Sequence, residues 1–330
     1  KEVQGIDVVL SGHTHNRLAA PVQVGRAVLI QSGFSGSFLG RLDLEVRDGH
    51  VCGVAHELIE VAEAIEEDSA VKRVVDGQLE PFRERLGEIV GRTATGLDRM
   101  TVLESTMDNL ITDAYLELTG AEVAFSHGWR YGAPIPPGDI TMGDLWQMIP
   151  TDPEIFTVPL TGRQIRQRLE ASLESVYARD PFEQKGGYVL RVSGLNAVVR
   201  LNNPKGTRVE HLDIAGQPCD PDRTYTVAAA GEQELRDAGP KEPTGTHAAE
   251  ALRRYEALVT AVKVALDSAD PIGLLEIGAP ADEYEPEVGT IVPRVAKANV
   301  TEVHRIIHQE FGRWFGVDTT GPLTTYEGRL

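Results

Sequence analysis

The spacing of apolar residues changes once along this chain, near Glu66, and that change limits the folds open to it. Before it, apolar residues come in short runs. Ile6, Val8, Val9 and Leu10 form one, interrupted only by Asp7 and ended by Ser11-Gly12. Val22 to Ile30, Leu39 to Val46 and Val51 to Ile59 follow, separated by Ser32-Gly33, Ser35-Gly36 and Asp48-Gly49, which suit turns. Leu42, Leu44 and Val46 alternate with Arg41, Asp43, Glu45 and Arg47, the period of a strand with one wet face. After Glu66, Val71, Val75, Leu79, Phe82, Leu86 and Val90 recur every three or four positions and predict one long helix with a buried stripe.

Beyond that helix the chain mixes both periods. Thr161 is placed to cap a helix whose apolar face is Ile165, Leu169, Leu173 and Val176. Tyr188 to Leu190, Ala197 to Val199 and Tyr225 to Ala228 read as strands, and Asn203-Pro204-Lys205-Gly206 as a turn. Asp237 to Gly245, with two Pro and two Gly, reads as a linker or long loop. Leu252, Tyr255, Val259, Val262 and Leu266 mark a further amphipathic helix. Val303, Ile306, Ile307, Phe311, Trp314 and Phe315 share one face of another. The fold class is therefore α/β (α+β), and 330 residues are enough for roughly two or three domains.

Net charge is −18, with no Lys/Arg cluster dense enough to follow a phosphate backbone, so nucleic acid and anionic membrane are poor partners. No apolar run of roughly 18 residues is present, so no membrane span is expected. Lys1 to Gln4 lead at once into a core-strand pattern. The expectation is that preceding chain, including any targeting segment, is missing. Cys52 and Cys219 allow one disulfide or two separate thiols.

Candidate chemistry concentrates at Gly12-His13-Thr14-His15-Asn16, directly after the first strand. Two imidazoles two positions apart at a strand end converge if the chain turns there, and Gly12 permits an unusual backbone angle for that turn. Neutral imidazole nitrogens suit Zn, Mn, Fe or Co. The alternative is two solvated loop histidines.

A strand ending in Gly-His-Thr-His resembles the last metal-binding motif of the calcineurin-like metallophosphoesterases. Gln31-Ser32-Gly33 and Phe38-Leu39-Gly40-Arg41-Leu42-Asp43-Leu44 are similar to the closing strands of that domain in 5′-nucleotidases. Asp108-Asn109-Leu110-Ile111-Thr112-Asp113-Ala114, Pro159-Leu160-Thr161-Gly162 and Tyr225-Thr226-Val227-Ala228 resemble landmarks of their C-terminal domain. The likeness runs over roughly residues 5 to 235. It implies the end of a metallophosphoesterase β-sandwich over 1–65 and a 5′-nucleotidase-type α/β substrate domain over 66–245. A small, mainly helical domain is expected over 246–330. His13 and His15 would each ligate one of two divalent metal ions. The remaining ligands and the catalytic residues are expected upstream of Lys1. Family members are often periplasmic or extracellular, and that location is the expectation here.

The substrate loop departs from the nucleotidase pattern. Where those enzymes carry Asn-Gly-Gly-Gly-Ile-Arg, this chain has Ser126-His127-Gly128-Trp129-Arg130-Tyr131-Gly132. Thr151 and Glu232 stand where two aromatic residues sandwich the base, and Leu103 where a substrate Arg is expected. A nucleotide is thereby disfavoured. The loop through Gly138, with Asp180-Pro181-Phe182, Gln184, Gly186-Gly187 and Arg191-Val192, is similar to the SoxB type of thiosulfohydrolase. That type releases sulfate from a cysteine-bound sulfane on a carrier protein. The partners implied are a small anionic substrate or a thiosulfonated carrier. Arg130 is the candidate anion contact, since a guanidinium grips phosphate or sulfate through two parallel bonds. Trp129 and His127 flank it. A structural Arg stacked between Trp129 and Tyr131 is the alternative.

Asp270-Pro271-Ile272-Gly273-Leu274 and Asp282 to Glu287 give the tail its own signature, which resembles a small bacterial helical domain of unknown function. A non-catalytic protein that binds an anion or another protein is the competing reading of the whole chain.

Overall fold

The computed structural model describes residues 5–101, 103–128, 131–185, 187–231, 235, 241–272, 274–275, 284–295, 298, 300–320 and 322–323. Contacts group the chain into two compact units, Lys1–Phe82 and Arg83–Leu330.

In the first unit, β1 (Val8–Ser11), β2 (Val22–Val24) and β3 (Ala27–Gln31) form a sheet in the order β1-β3-β2. β1 and β3 run parallel, and Val28 and Ile30 are buried between their neighbours. β4 (Phe38–Arg47) and β5 (His50–Glu60) make an antiparallel hairpin with Arg47 opposite His50. Its two-residue turn puts Asp48 at φ 49° and Gly49 at φ 76°. Positive φ at both central positions is the primed turn that matches strand twist, and an Asp-Gly pair supplies it.

The single long helix expected from Val71 to Val90 does not form. Helix α1 (Ser69–Leu79) is capped by Asp68, whose Oδ1 accepts from the N–H groups of Ala70 and Val71 at 2.9 Å each. It ends before Pro81, which has no N–H to continue the ladder. A 3-10 turn (Glu80–Phe82) and the short α2 (Arg83–Leu86) follow. Val90 then lies in a strand, and the supposed stripe is solvent-facing, with Val71 61% and Phe82 57% exposed.

The second unit is built on a sheet of five strands ordered β10-β7-β14-β9-β15. In chain order its elements begin with β6 (Ile89–Thr93), α3 (Thr106–Thr119), β7 (Val123–Ser126) and β8 (Gly138–Thr141). Next come α4 (Met142–Met148), β9 (Glu154–Thr161), α5 (Gly162–Tyr177) and β10 (Arg191–Ser193). The strands β11 (Leu195–Val199), β12 (Val209–Ile214), β13 (Gln217–Pro218), β14 (Thr224–Ala230) and β15 (Glu242–His247) follow. Helices α6 (Ala248–Ala269), α7 (Glu285–Val295), α8 (Val300–Phe315) and α9 (Val317–Thr320) close the unit.

Alternating side chains on the central strands feed two cores. Ala124, Ile155, Ala228 and Ala230 face a core made with α3, α4, α6, α7 and α8. Val123, Phe125, Val158, Leu160, Tyr225 and Val227 face a second core made with α5, β11 and β12. A strand buried on both sides carries apolar residues on both faces, as Val123-Ala124-Phe125 and Val227-Ala228-Ala229-Ala230 do. Thr161 caps α5 as the sequence implied, in a capping box with Gln164, and Ile165, Leu169 and Leu173 are buried.

One loop reading gives way to pairing, and one strand reading fails. Of the expected linker Asp237 to Gly245, 237–240 lie outside the described residues, and Glu242 to Gly245 belong to the sheet's outer strand, antiparallel to β9 with Pro243 opposite Phe156. An edge position tolerates a residue without an N–H. Tyr188–Leu190 stays outside any strand, and β10 begins one residue later. Across the sequence-based segments 66–245 and 246–330, Leu252, Tyr255, Leu266, Ile307 and Phe311 share one core with Met107, Ile111 and Tyr115 of α3. Trp314, expected in that core, is half exposed. Cys52 and Cys219 are both free thiols.

Candidate functional site

The Gly-His-Thr-His turn leaves β1 through a tight loop. The His15 N–H donates to Gly12 O at 3.2 Å. The left-handed residue is His15, at φ 59°, and not Gly12 as the sequence suggested. A Cβ-bearing residue there costs roughly 1–2 kcal/mol, so surrounding bonds must hold it. Gln31, buried at the end of β3, does so. With its amide oxygen turned toward the loop, it accepts from the N–H groups of His15 and Asn16, both at 3.0 Å. Asn16 O in turn accepts from Gly33 N at 3.0 Å, and the His15 ring stacks on Phe34 with centroids 5.6 Å apart. His13 is exposed and His15 half-buried. Two neutral imidazoles suit a borderline divalent ion. They fall short of the four ligands such an ion usually takes. Among the described residues no group of three or more His, Cys, Asp or Glu is disposed to hold a metal.

A second constellation, in the other unit, joins the N-terminus of α3 to the ends of β7 and β10. Asp108 is fully buried and accepts from Arg99 Nη2 at 2.7 Å and Ser126 Oγ at 2.9 Å on one oxygen. Its other oxygen accepts from Ser105 Oγ at 2.7 Å and lies 3.4 Å from Arg191 Nε. Arg99 also donates to Met148 O at 2.9 Å, and Arg191 to Thr101 O at 2.6 Å. Ser105 is the α3 N-cap, accepting from Asp108 N at 3.1 Å. The local sequence thus needs Ser105 and Asp108 for the helix start. The tertiary fold then places two buried guanidinium groups on that same carboxylate.

His127 follows Ser126 directly, and its ring meets Tyr131 edge-on at 6.2 Å. Burial first, and the Arg99 charge second, push its pKa down to about 4, with Asp108 opposing. At neutral pH it is an uncharged hydrogen-bonding group. It lines a pocket with Arg99, Ser126, Tyr131, Thr151 and Pro153, whose free volume is ≈ 10 Å³. That is room for about one water. Gly128, at φ 67°, packs so closely that a Cβ would lie 3.0 Å from Arg191 Nε.

Of the residues singled out from sequence, His13 and His15 share one turn, and His127 and Thr151 share one pocket. Leu103 lines a different cleft. Trp129, Arg130 and Glu232 lie outside the described residues. Arg99 and the bridging role of Asp108 were missed. Their one sequence signal was the Ser105-x-x-Asp108 spacing of a helix cap.

Residues 89–231 match the family model described as 5′-nucleotidase, C-terminal domain. The trifunctional nucleotide phosphoesterase protein YfkN of Bacillus subtilis (strain 168) is 30% identical over 247 residues, 69% of this chain and 16% of that protein. The sulfate thiohydrolase SoxB of Thermus thermophilus, solved with glycerol, superposes at TM-score 0.74 and 32% identity. It covers 78% of this chain, which spans 49% of SoxB. A 5′-nucleotidase precursor, also from Thermus thermophilus, gives TM-score 0.67 and 25% identity, over 78% of this chain and 57% of its own. The chain therefore spans about half of these solved proteins and a smaller part of the Bacillus one.

Proposed function

We propose that the protein, whose residues 89–231 match the 5′-nucleotidase C-terminal domain, hydrolyses a phosphoester, with His13 and His15 as ligands to divalent metal. The observation that carries this reading is the left-handed His15, an unfavourable backbone held by Gln31 so that two imidazoles leave the same turn. Strain of this kind persists where the surrounding structure over-determines it and a function uses it. Two bound ions, completed by donors beyond those described, would polarise the scissile group and lower the pKa of a bound water. Within this chain, the Ser126–Gly132 loop would receive the substrate's anionic group. Arg130 would supply the two-pronged contact, flanked by Trp129 and by an uncharged His127.

Thr151 beside His127 argues against a purine or pyrimidine sandwiched there, since it has no ring face to stack on a base. SoxB-like hydrolysis of a thiosulfonated carrier is the second reading, supported by the likeness to SoxB at TM-score 0.74. One experiment separates the readings. The protein is supplied with Mn²⁺ and offered AMP, p-nitrophenyl phosphate and a thiosulfonated cysteine peptide, alongside His13→Ala and His15→Ala. The expected result is phosphoester turnover that either replacement lowers at least 100-fold, together with loss of bound metal by elemental analysis. Wild-type protein with no bound transition metal, and no change on replacing either imidazole, overturns the reading in favour of a binding protein. AMP hydrolysis that survives Arg130→Ala refutes the account of the loop.

A further inference from the structure

A second cleft adjoins the buried charge cluster. Its volume is ≈ 280 Å³, at the lower limit of small-molecule sites, roughly 300 Å³. Leu169 and Leu173 of α5 with Val189, Val192 and Leu195 give it an apolar wall, and Arg191 is the one cation among the described residues lining it. Arg191 is only 2% exposed. Its Nη2 donates to Thr101 O and its Nε pairs with Asp108 Oδ2 at 3.4 Å, but Nη1 has no hydrogen-bond partner among the described residues. A buried donor left unmade costs about 1–3 kcal/mol, more when charged, so such a group marks a ligand or a water.

Charge counting selects the ligand's head. Among the described residues of the cluster, Arg99 and Arg191 carry two positive charges and Asp108 one negative, all buried, which leaves one positive charge uncompensated there. Glu104 also lines the cleft, but it is exposed, accepts from Asn109 Nδ2 at 2.9 Å, and is solvated rather than buried against Arg191. One excess charge calls for a monoanion, and an aliphatic wall calls for an aliphatic body. We infer that this cleft binds a small aliphatic carboxylate, with its head on Arg191 Nη1 and its chain along Leu169, Leu173 and Leu195. Arg191 also packs against Gly128 of the Ser126–Gly132 loop, where a Cβ would lie 3.0 Å from its Nε, but the inference does not depend on the hydrolytic reading.

The test is calorimetric titration of the full 330-residue chain with hexanoate, n-hexanol, hexylamine and inorganic phosphate. Hexanoate is expected to bind, and the other three to bind at least tenfold more weakly. Arg191→Met should weaken hexanoate at least tenfold. Ala197→Trp, at an exposed position lining the cleft, should do the same by blocking it while leaving the ion cluster intact. Should Arg191→Met fail to fold by circular dichroism, the Ala197→Trp result decides. No hexanoate binding at millimolar concentration, hexanol binding as tightly as hexanoate, or a folded blocking variant that binds normally overturns the inference. Phosphate binding more tightly than hexanoate overturns the monoanion argument.

Discussion

Replacing Asp108 with Asn keeps the shape of the side chain and removes its charge from a site with no solvent exposure. Four polar partners surround that carboxylate: Arg99 at 2.7 Å, Ser105 at 2.7 Å, Ser126 at 2.9 Å and Arg191 at 3.4 Å. An amide accepts on one oxygen only, and its NH₂ group would face a guanidinium or a hydroxyl. Two buried cations would then face each other without a counterion. Breaking a buried ion pair by removing one partner costs about 3–5 kcal/mol. Whole-domain stability is about 5–15 kcal/mol, so the loss is a large share of it. Equilibrium urea unfolding followed by tryptophan fluorescence should show the midpoint falling by about 1.5–2.5 M at an m-value of roughly 2 kcal/mol/M. Ser105→Ala, which removes one cap and one hydrogen bond, should cost about 1 kcal/mol. An Asp108→Asn loss below about 1 kcal/mol, or one equal to that of Ser105→Ala, would refute the reasoning that charge is what the site requires.

Three further outcomes follow from the same geometry. His127 titrates near 4 when folded and near 6.5 when unfolded, so the unfolded chain takes up the proton first as pH falls. Its contribution is complete above pH 6.5, fades toward about 4, and is worth at most about 3 kcal/mol. His127→Asn should therefore flatten the decline in urea midpoint between pH 6.5 and 4.5, and an unchanged slope contradicts the buried neutral ring. His15→Gly should raise the stability of the first unit by roughly 1 kcal/mol relative to His15→Ala, because glycine adopts φ 59° without a Cβ clash. Equal midpoints for the two variants would deny the strain. Thr161→Ala removes the α5 capping box and should cost about 1 kcal/mol in the same unfolding assay, and no shift would contradict the cap.

Local rules were legible where chemistry and geometry sit within a few residues. Asp48-Gly49 announced its hairpin, and Thr161 announced its helix, because each turn or cap is decided by its own side chains. Periodicity misled where a single residue overrode it: Val71 to Val90 keeps helical spacing across Pro81, yet the ring stops the ladder. Glu242 to Gly245, within the stretch read as a loop, are strand because they pair with β9, some ninety positions earlier in sequence. The Gly-His-Thr-His turn was visible, although the residue bearing its strain was not, since Gln31 fixes that from another strand. The charge cluster was least legible. Arg99, Asp108 and Arg191 are ordinary residues in their own neighbourhoods, and only the packing of β10 beside β7 brings them to one point.

Sharing of one core by α3 and the terminal helices has a practical outcome for anyone cutting this gene. A clone trimmed to 89–231 would strip α6, α7 and α8 from Met107, Ile111 and Tyr115 and present a greasy slab to water. Such a slab drives self-association. The boundaries that yield a well-behaved soluble product therefore reach past Phe311, well beyond where the recognisable family segment stops.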